Sequence, residues 1–588
     1  MDNVTRLFDL IPYQLGKYPQ SDALAWKNNG KWETFSTADI QKIVQQVSLG
    51  LMALGLKKDD KVAIITPNRP HFNFIDFGLQ QIGAVSVPIY PTITIEDYSY
   101  IFNDAEVQYV FVYDKELYIK ATEALKTAPQ VKGIFSFLPV EGVRNWEELK
   151  NLGESQSVEE LEKRKASVSS EDLLTLIYTS GTTGKPKGVM ITHHNIISNY
   201  KACTPLMPVT DEHRALSFLP MCHIYERMLV YLYMSVGVSI YYAESLDTLG
   251  ENLKEVKPHI FTTVPRLLEK VYDKIVAKGA ELTGIKRKLF YWALELGLRY
   301  DINKNLGFWY NLQLALANKI IFNKWREALG GNVKAVVSGS AALQARLARV
   351  FWAAKIPVME GYGLTETSPV ISVNRADAKE NRIGTVGPLI EGIEVKIAED
   401  GEILTRGPHI MKGYYKRPDL TAEVIDTEGW FHTGDIGTFV ENKYLKITDR
   451  KKEMFKTSGG KYIAPQLVEN KFKESRYIEQ IMVLGEGQKF PSALIVPAFE
   501  SIKSWCAIKG IPYTTDAEML QHKSVLDKFQ REVDEMNEHF AQWEKIKKFA
   551  LLPALFTIDG GELTPTMKLK RKVIMQKYAS IIEKMYMD

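Results

Sequence analysis

One loop constrains this chain more than any other feature. Residues 173–178 (LLTLIY) form an apolar run of strand character that stops at residues 178–188, YTSGTTGKPKG. That span holds three glycines, the hydroxyls of Thr179, Ser180, Thr182 and Thr183, and the cations of Lys185 and Lys187. Glycines such as Gly181 and Gly184 let backbone N–H groups close on an anion; hydroxyls donate to its oxygens and lysines neutralise its charge. A polyphosphate suits that chemistry. Two alternatives fail on spacing. A Walker loop needs Gly-Lys followed by Ser or Thr, whereas Lys185 is followed by Pro186. A dinucleotide fingerprint needs a third glycine beyond Gly361 and Gly363, and Leu364, Thr365 and Glu366 stand there instead.

The loop sits in a chain patterned as α/β. Residues 61–66 (KVAIIT), 108–112 (QYVFV) and 333–337 (VKAVV) are further short apolar runs with turn or helix signals after them, as buried parallel strands have. Residues 266–329 predict two or three amphipathic helices packed on the main body, with their aromatics in the core. Residues 153–172, charged and serine-rich, read as a surface loop or exposed helix. With 588 residues the chain exceeds one core. The expected division is a large N-terminal domain, 1–449, and a small α+β domain, 450–588. The charged join at Asp449, Arg450, Lys451, Lys452 and Glu453 predicts a solvent-exposed hinge.

Bulk charge narrows the partners. Seventy-four basic and 71 acidic residues leave a net +3, which gives no field suited to nucleic acid. Three scattered cysteines without a CxxC predict a reducing compartment, no disulfide framework and no structural metal. The first residues, with early acids and no long apolar core, do not read as a secretory signal. The longest apolar stretch, 228–242, is shorter than the roughly 20 residues of a membrane helix. The expected location is cytoplasmic, with peripheral contact at a membrane left open.

The glycine-rich string resembles the phosphate loop of the adenylate-forming superfamily, which includes acyl-CoA synthetases, and further motifs follow in that superfamily's order. Residues 360–367 (EGYGLTET) are similar to the segment lining adenine and the α-phosphate. The resemblance assigns Gly361 and Tyr362 to adenine, Thr365 to the α-phosphate and Glu366, with Thr182, to Mg²⁺. Ser340, in residues 338–342 (SGSAA), matches the companion turn across the adenine. Asp435, in residues 429–437 (GWFHTGDIG), and Arg450 match two ribose contacts. Lys452, beside Asp449, stands where the superfamily has its hinge residue. Gly459 and Gly460 match the turn that meets the thiol acceptor. Lys568, in residues 563–572 (LTPTMKLKRK), matches the lysine that touches both carboxylate and α-phosphate.

Residues 219–227 (LPMCHIYER) resemble the acyl-site motif of long-chain fatty acyl-CoA synthetases. His223 and Tyr225 are candidates for the pocket entrance, and the segment 261–265, with Val264, for the wall beside the tail. The implied fold is a large adenylate-forming domain of parallel-rich sheets and helices plus a small mobile C-terminal α+β domain. The implied reaction activates a long-chain fatty acid with ATP and Mg²⁺ to an acyl-adenylate, then transfers it to coenzyme A. A fatty acyl-AMP ligase, or an acyl-carrier-protein synthetase using a carrier thiol, is the alternative. Each buried methylene contributes about 0.8 kcal/mol, so tunnel depth decides chain length.

Overall fold

The structure is a computed structural model and describes residues 3–179, 185–512, 515–558, 560–564 and 567–587. The chain forms two compact units. One comprises Met1–Val395, Thr405–His432 and Glu441–Leu445; the other comprises Lys396–Leu404, Thr433–Val440 and Lys446–Asp588.

The larger unit is built on two eight-stranded sheets. The first runs Val370–Val373, Val358–Gly363, Ala335–Ser338, Ile260–Thr263, Arg214–Ser217, Ser239–Tyr242, Leu24–Asn28, Lys31–Phe35. It is parallel except for its two outermost pairings. The second runs Gly413–Tyr414, Lys187–Thr192, Leu173–Thr179, Val85–Pro88, Lys61–Ile65, Val107–Val112, Gly133–Ser136, Arg144–Asn145. It is antiparallel only at the edge where Leu173–Thr179 turns back into Lys187–Thr192 and meets Gly413–Tyr414. Val, Ile and Ala fill the inner strands because both faces are covered. The main core joins Val62, Ile64 and Val189 of the second sheet to Ile240, Ile260 and Val337 of the first. Between them runs the helix Ile224–Ser235, buried on nearly every side, which is why its sequence is apolar on nearly every face, Glu226 and Arg227 excepted.

The outer face of the first sheet carries a second core. Val336, Phe261 and Val358 pack there against Leu268, Leu294, Phe322 and Phe351. The expected two or three helices over 266–329 are four: Pro265–Glu281, Gly284–Arg299, Phe308–Ala317 and Asn323–Ala328, with a π-helical turn at Asn318–Phe322. Nor do all their aromatics face the core. Phe290, Tyr310 and Trp325 do, but Phe308 and Trp309 are each 73% exposed. The stretch 228–242 divides into the end of a buried helix and the strand Ser239–Tyr242. Among the described residues, no helix is long and apolar enough to cross a membrane.

The smaller unit holds a three-stranded sheet of Ile478–Leu484, Ser492–Pro497 and Lys548–Leu551. Helices Pro465–Phe472 and Lys523–Asn537 pack on it through Val468, Phe472, Phe529 and Val533. This α+β unit does not begin at a single cut near residue 449. Its share of the chain also includes 396–404 and 433–440, drawn in by the four-stranded sheet Glu394–Ile397, Glu402–Arg406, Phe431–Val440, Tyr444–Arg450. Asp449 is also not solvent-exposed: it is buried, although Lys451 and Lys452 beside it are exposed.

Candidate active site

In the larger unit the strand Leu173–Thr179 delivers the phosphate-loop string, and Lys187–Thr192 carries the chain back, with Thr179 opposite Lys187 and Tyr178 opposite Gly188. Ser180, Gly181, Thr182, Thr183 and Gly184 lie outside the described residues. Their flanks are held firmly. The Tyr178 hydroxyl donates to Asp104 Oδ2 at 2.5 Å. Burial, then the neighbouring Asp104 carboxylate, pushes that phenol well above its ordinary range. Gly188 has a structural requirement: a Cβ there would stand 3.0 Å from the Tyr178 ring. Lys185 Nζ lies 5.2 Å from the centre of the Tyr100 ring.

Lys187 and Glu366 meet a residue the sequence did not single out. Tyr414, on the edge strand paired with Val189, donates its hydroxyl to Glu366 Oε1 at 2.9 Å. The Lys187 ammonium sits 4.9 Å from the centre of the same ring. Burial, then the Glu366 carboxylate, raises the Tyr414 phenol far above its usual range, so it stays a donor. Thr365 and Glu366 belong to a short 3₁₀ turn, Thr365–Thr367, in which Thr365 is buried. Gly363, just before it, admits no side chain, because a Cβ would fall 1.7 Å from Pro369 O.

Behind that turn lies a cavity that opens to solvent. Its walls bring together Ser340, Gly361 and Tyr362 from the nucleotide-type motifs with His223 and Tyr225 from the acyl-type motif. Cys203, Met207, Met228 and Leu229 add an apolar wall. His223 caps the helix Ile224–Ser235, its Nδ1 accepting from the Tyr225 N–H at 3.2 Å. Tyr225 donates to Val337 O at 3.1 Å, and its ring is 3.2 Å from where a Cβ on Gly339 would sit. Ser340 holds φ +70°. Burial pushes the Cys203 thiol up to about 12, so it remains a protonated wall and not a nucleophile.

Burial also pushes the Glu360 carboxyl, behind Gly361, up to about 8, against the pull of the Leu343 N–H. A smaller apolar cavity lies across the first sheet, lined by Phe261, Thr263, Leu267 and Val336; Val336 and Val337 point to opposite faces. Val264, N-cap of the helix Pro265–Glu281, is among the lining residues of neither cavity.

The acyl-type motif ends in a buried charge. Arg227, with 0% of its side chain exposed, donates to Asp76 Oδ1 at 2.5 Å, Thr175 Oγ1 at 2.8 Å, Ser86 Oγ at 2.9 Å and Tyr231 Oη at 3.0 Å. Through Thr175 the helix that His223 caps is bonded to the strand that delivers the phosphate loop.

In the smaller unit, Asp435 and Arg450 form an ion pair, Oδ1 to Nε at 3.0 Å, with the carboxylate nearly buried and the guanidinium 30% exposed. Asp449 accepts from the Arg450 N–H at 2.6 Å through Oδ1, while Oδ2 is buried without a partner. Burial, then the charges of Glu469 and Glu453, pushes Asp449 up to about 7 against the Arg450 N–H bond and the Arg571 charge. Arg571 binds both glutamates, at 2.5 and 3.2 Å. Gly459 and Gly460 form the turn between Phe455–Lys456 and Tyr462–Ile463; Gly460, at φ +74°, needs to be glycine. Lys568 is exposed on a tight turn, its N–H donating to Thr564 Oγ1 at 3.0 Å and its carbonyl accepting from the Thr564 N–H at 2.8 Å.

This chain belongs to the AMP-binding enzyme family, whose pattern it matches over residues 12–415, with the family's C-terminal domain over residues 453–588. Among curated proteins it is 33% identical to a long-chain-fatty-acid–CoA ligase of Mycobacterium bovis, covering 95% of this chain and 93% of the relative. It is also 33% identical to long-chain-fatty-acid–CoA ligase 1 of Homo sapiens, covering 95% and 83%. In fold it is similar to the adenylation domain of a carboxylate reductase from Mycobacterium chelonae, with a TM-score of 0.76 at 21% identity over 99% of this chain and 91% of that one. An anthranilate CoA ligase solved with anthranoyl-AMP gives 0.73 at 18%, covering 97% of each.

Proposed function

We propose that this protein is an AMP-forming long-chain fatty acid–CoA ligase. The fatty carboxylate attacks the α-phosphorus of ATP, pyrophosphate leaves, and the acyl-adenylate then passes its acyl group to the CoA thiol, releasing AMP. The observation that carries this reading is the shared cavity: residues of the adenine-type motif and the acyl-type motif line one largely apolar space. The names of the curated relatives supply the substrate class.

In this reading Ser340, Gly361 and Tyr362 hold adenine, Asp435 and Arg450 hold the ribose, and the phosphate loop with Lys185 and Lys187 holds the phosphates. His223 and Tyr225 flank the acyl entrance. Thr365 donates to the α-phosphate. Lys568 stabilises the charge that builds during adenylation, and Gly459 and Gly460 serve the thiol step, exchanged by rotation at Asp449 and Lys452. Glu366 is a hard oxygen donor of the kind Mg²⁺ takes, with Tyr414 fixing one of its oxygens. Among the described residues no cluster of three acidic, histidine or cysteine side chains forms a cage, and Mg²⁺ sites typically use one or two carboxylates plus substrate phosphates. Bound there, Mg²⁺ would offset phosphate charge.

CoA is the acceptor in this proposal. Peripheral contact with a membrane belongs to it too, because the acid partitions into bilayers. The test is AMP release from ATP across saturated acids of two to eighteen carbons, with and without CoA. CoA-dependent turnover peaking at long chains is expected. Adenylate without CoA-dependent turnover would transfer the reading to a carrier-protein acceptor, and no adenylate from any acid would overturn it.

A further inference from the structure

The helices Gly284–Arg299 and Phe308–Ala317 have two unlike sides. One is core: Phe290, Ala293, Leu294 and Gly297 are buried, and the second helix docks on the first through the Tyr310 hydroxyl, which donates to Leu296 O at 2.6 Å. The other side is apolar and open. Phe308 and Trp309 are each 73% exposed, Ile285 75%, and Leu312 and Leu316 each 51%. Positions 309, 312 and 316 share one helical face, and Phe308 and Trp309 pack edge to face at its N-terminal end. Scattered surface leucines need no explanation, but Phe308, Trp309, Leu312 and Leu316 exposed together on one ten-residue helix do.

The charge around the patch is predominantly basic. Residues 281–327 contain eight basic residues, among them Lys286, Arg287 and Lys288, against four acids, Glu281, Glu295, Asp301 and Glu327. Lys286, Arg287 and Lys288 are exposed and have no ion-pair partner among the described residues. An aromatic and aliphatic ridge beside a basic flank is the composition of helices that lie in the headgroup zone of an anionic bilayer. A second copy of this chain fits less well, because a two-fold contact would set each basic flank in the same self-facing interface.

We infer that this face is a docking surface for an anionic phospholipid bilayer, with Phe308, Trp309 and Leu312 entering the headgroup region and Lys286, Arg287 and Lys288 meeting lipid phosphates. The inference builds on the membrane contact of the proposed function, but its test uses no acyl chemistry, so either can fail alone.

The experiment is flotation of the full chain with vesicles of phosphatidylglycerol and phosphatidylcholine, and with phosphatidylcholine alone, at low and high salt. Binding is expected to require the anionic lipid and to weaken with salt. The pair Phe308→Ser and Trp309→Ser is expected to weaken partitioning at least tenfold. Lys286→Gln, Arg287→Gln and Lys288→Gln together should weaken it on the order of 10²-fold. Both variants should keep the melting temperature and the turnover of a water-soluble eight-carbon acid. Absence of vesicle binding by the parent chain, or binding unchanged in both variants, would overturn the inference. So would a parent dimer that these variants convert to monomer, since that would make the occupant a second copy.

Discussion

Tyr414 donates its hydroxyl to Glu366 Oε1 at 2.9 Å, from a strand that lies beside Lys187–Thr192 at the edge of the second sheet. The pairing fixes the carboxylate proposed for Mg²⁺ against the same ring that Lys187 overlies.

Tyr414→Phe removes only the hydroxyl, since the ring and its cation contact survive. A hydrogen bond to a charged group is worth roughly 1.5–3 kcal/mol, and the part-exposure of Glu366 argues for the low end. Pyrophosphate exchange at limiting Mg²⁺ should fall about tenfold, with the loss shrinking as Mg²⁺ is raised. A loss independent of Mg²⁺ would remove Tyr414 from this role.

Arg227→Met should be among the most damaging substitutions in the larger unit. It leaves Asp76 buried and uncompensated, a cost of about 3–5 kcal/mol, and cuts the bond to Thr175. Adding Asp76→Leu should restore part of the lost stability, because the pair's desolvation cost leaves with both charges. Urea unfolding of the single and double variants checks it; a double variant no more stable than Arg227→Met alone would show that the charge pair is not the cause.

Lys568→Ala is expected to lose 10²–10³ in adenylation, the usual cost of one preorganised charge contact. Its melting temperature should hold, because the side chain is exposed and the turn is set by backbone bonds to Thr564. Transfer of a preformed acyl-adenylate to CoA should be far less affected. Near-normal pyrophosphate exchange in this variant would refute the assignment.

How much of this was legible beforehand depended on sequence distance. The strands 61–65, 107–112 and 173–179 announce themselves as apolar runs, since strands buried on both faces leave no other composition. The phosphate-loop and adenine-type motifs are local strings and need no tertiary knowledge. Tyr414 lies more than two hundred residues beyond Lys187, and only the register Tyr414↔Val189 brings them together. Phe308 and Trp309 sit in a helix with apolar residues on several sides, so periodicity alone does not say which side is covered. Asp449 reads as exposed because its neighbours are charged. The charges that act on it there come from groups such as Glu469 and Arg571, twenty and more than a hundred residues away.

Asp449 makes the sharpest prediction of pH dependence. Its folded value is raised from 3.8 to about 7, chiefly by burial. Below the unfolded value both states hold the proton and the group costs nothing. Between the two values the unfolded chain ionises while the folded one does not, so the folded state loses stability as pH rises, and the full cost is reached above about 7. A shift of that size sets a ceiling of about 4 kcal/mol. Asn at this position keeps the acceptor for the Arg450 N–H and replaces the unpartnered Oδ2 with an uncharged amide donor, within the electrostatic reach of Glu453 and Glu469. Asp449→Asn should therefore melt higher than the parent at pH 8, and the gap should close as pH falls toward 4. Thermal unfolding across that range decides it; a gap that is constant with pH, or a variant less stable at pH 8, would show that Asp449 is not carried into the fold as a costly buried charge.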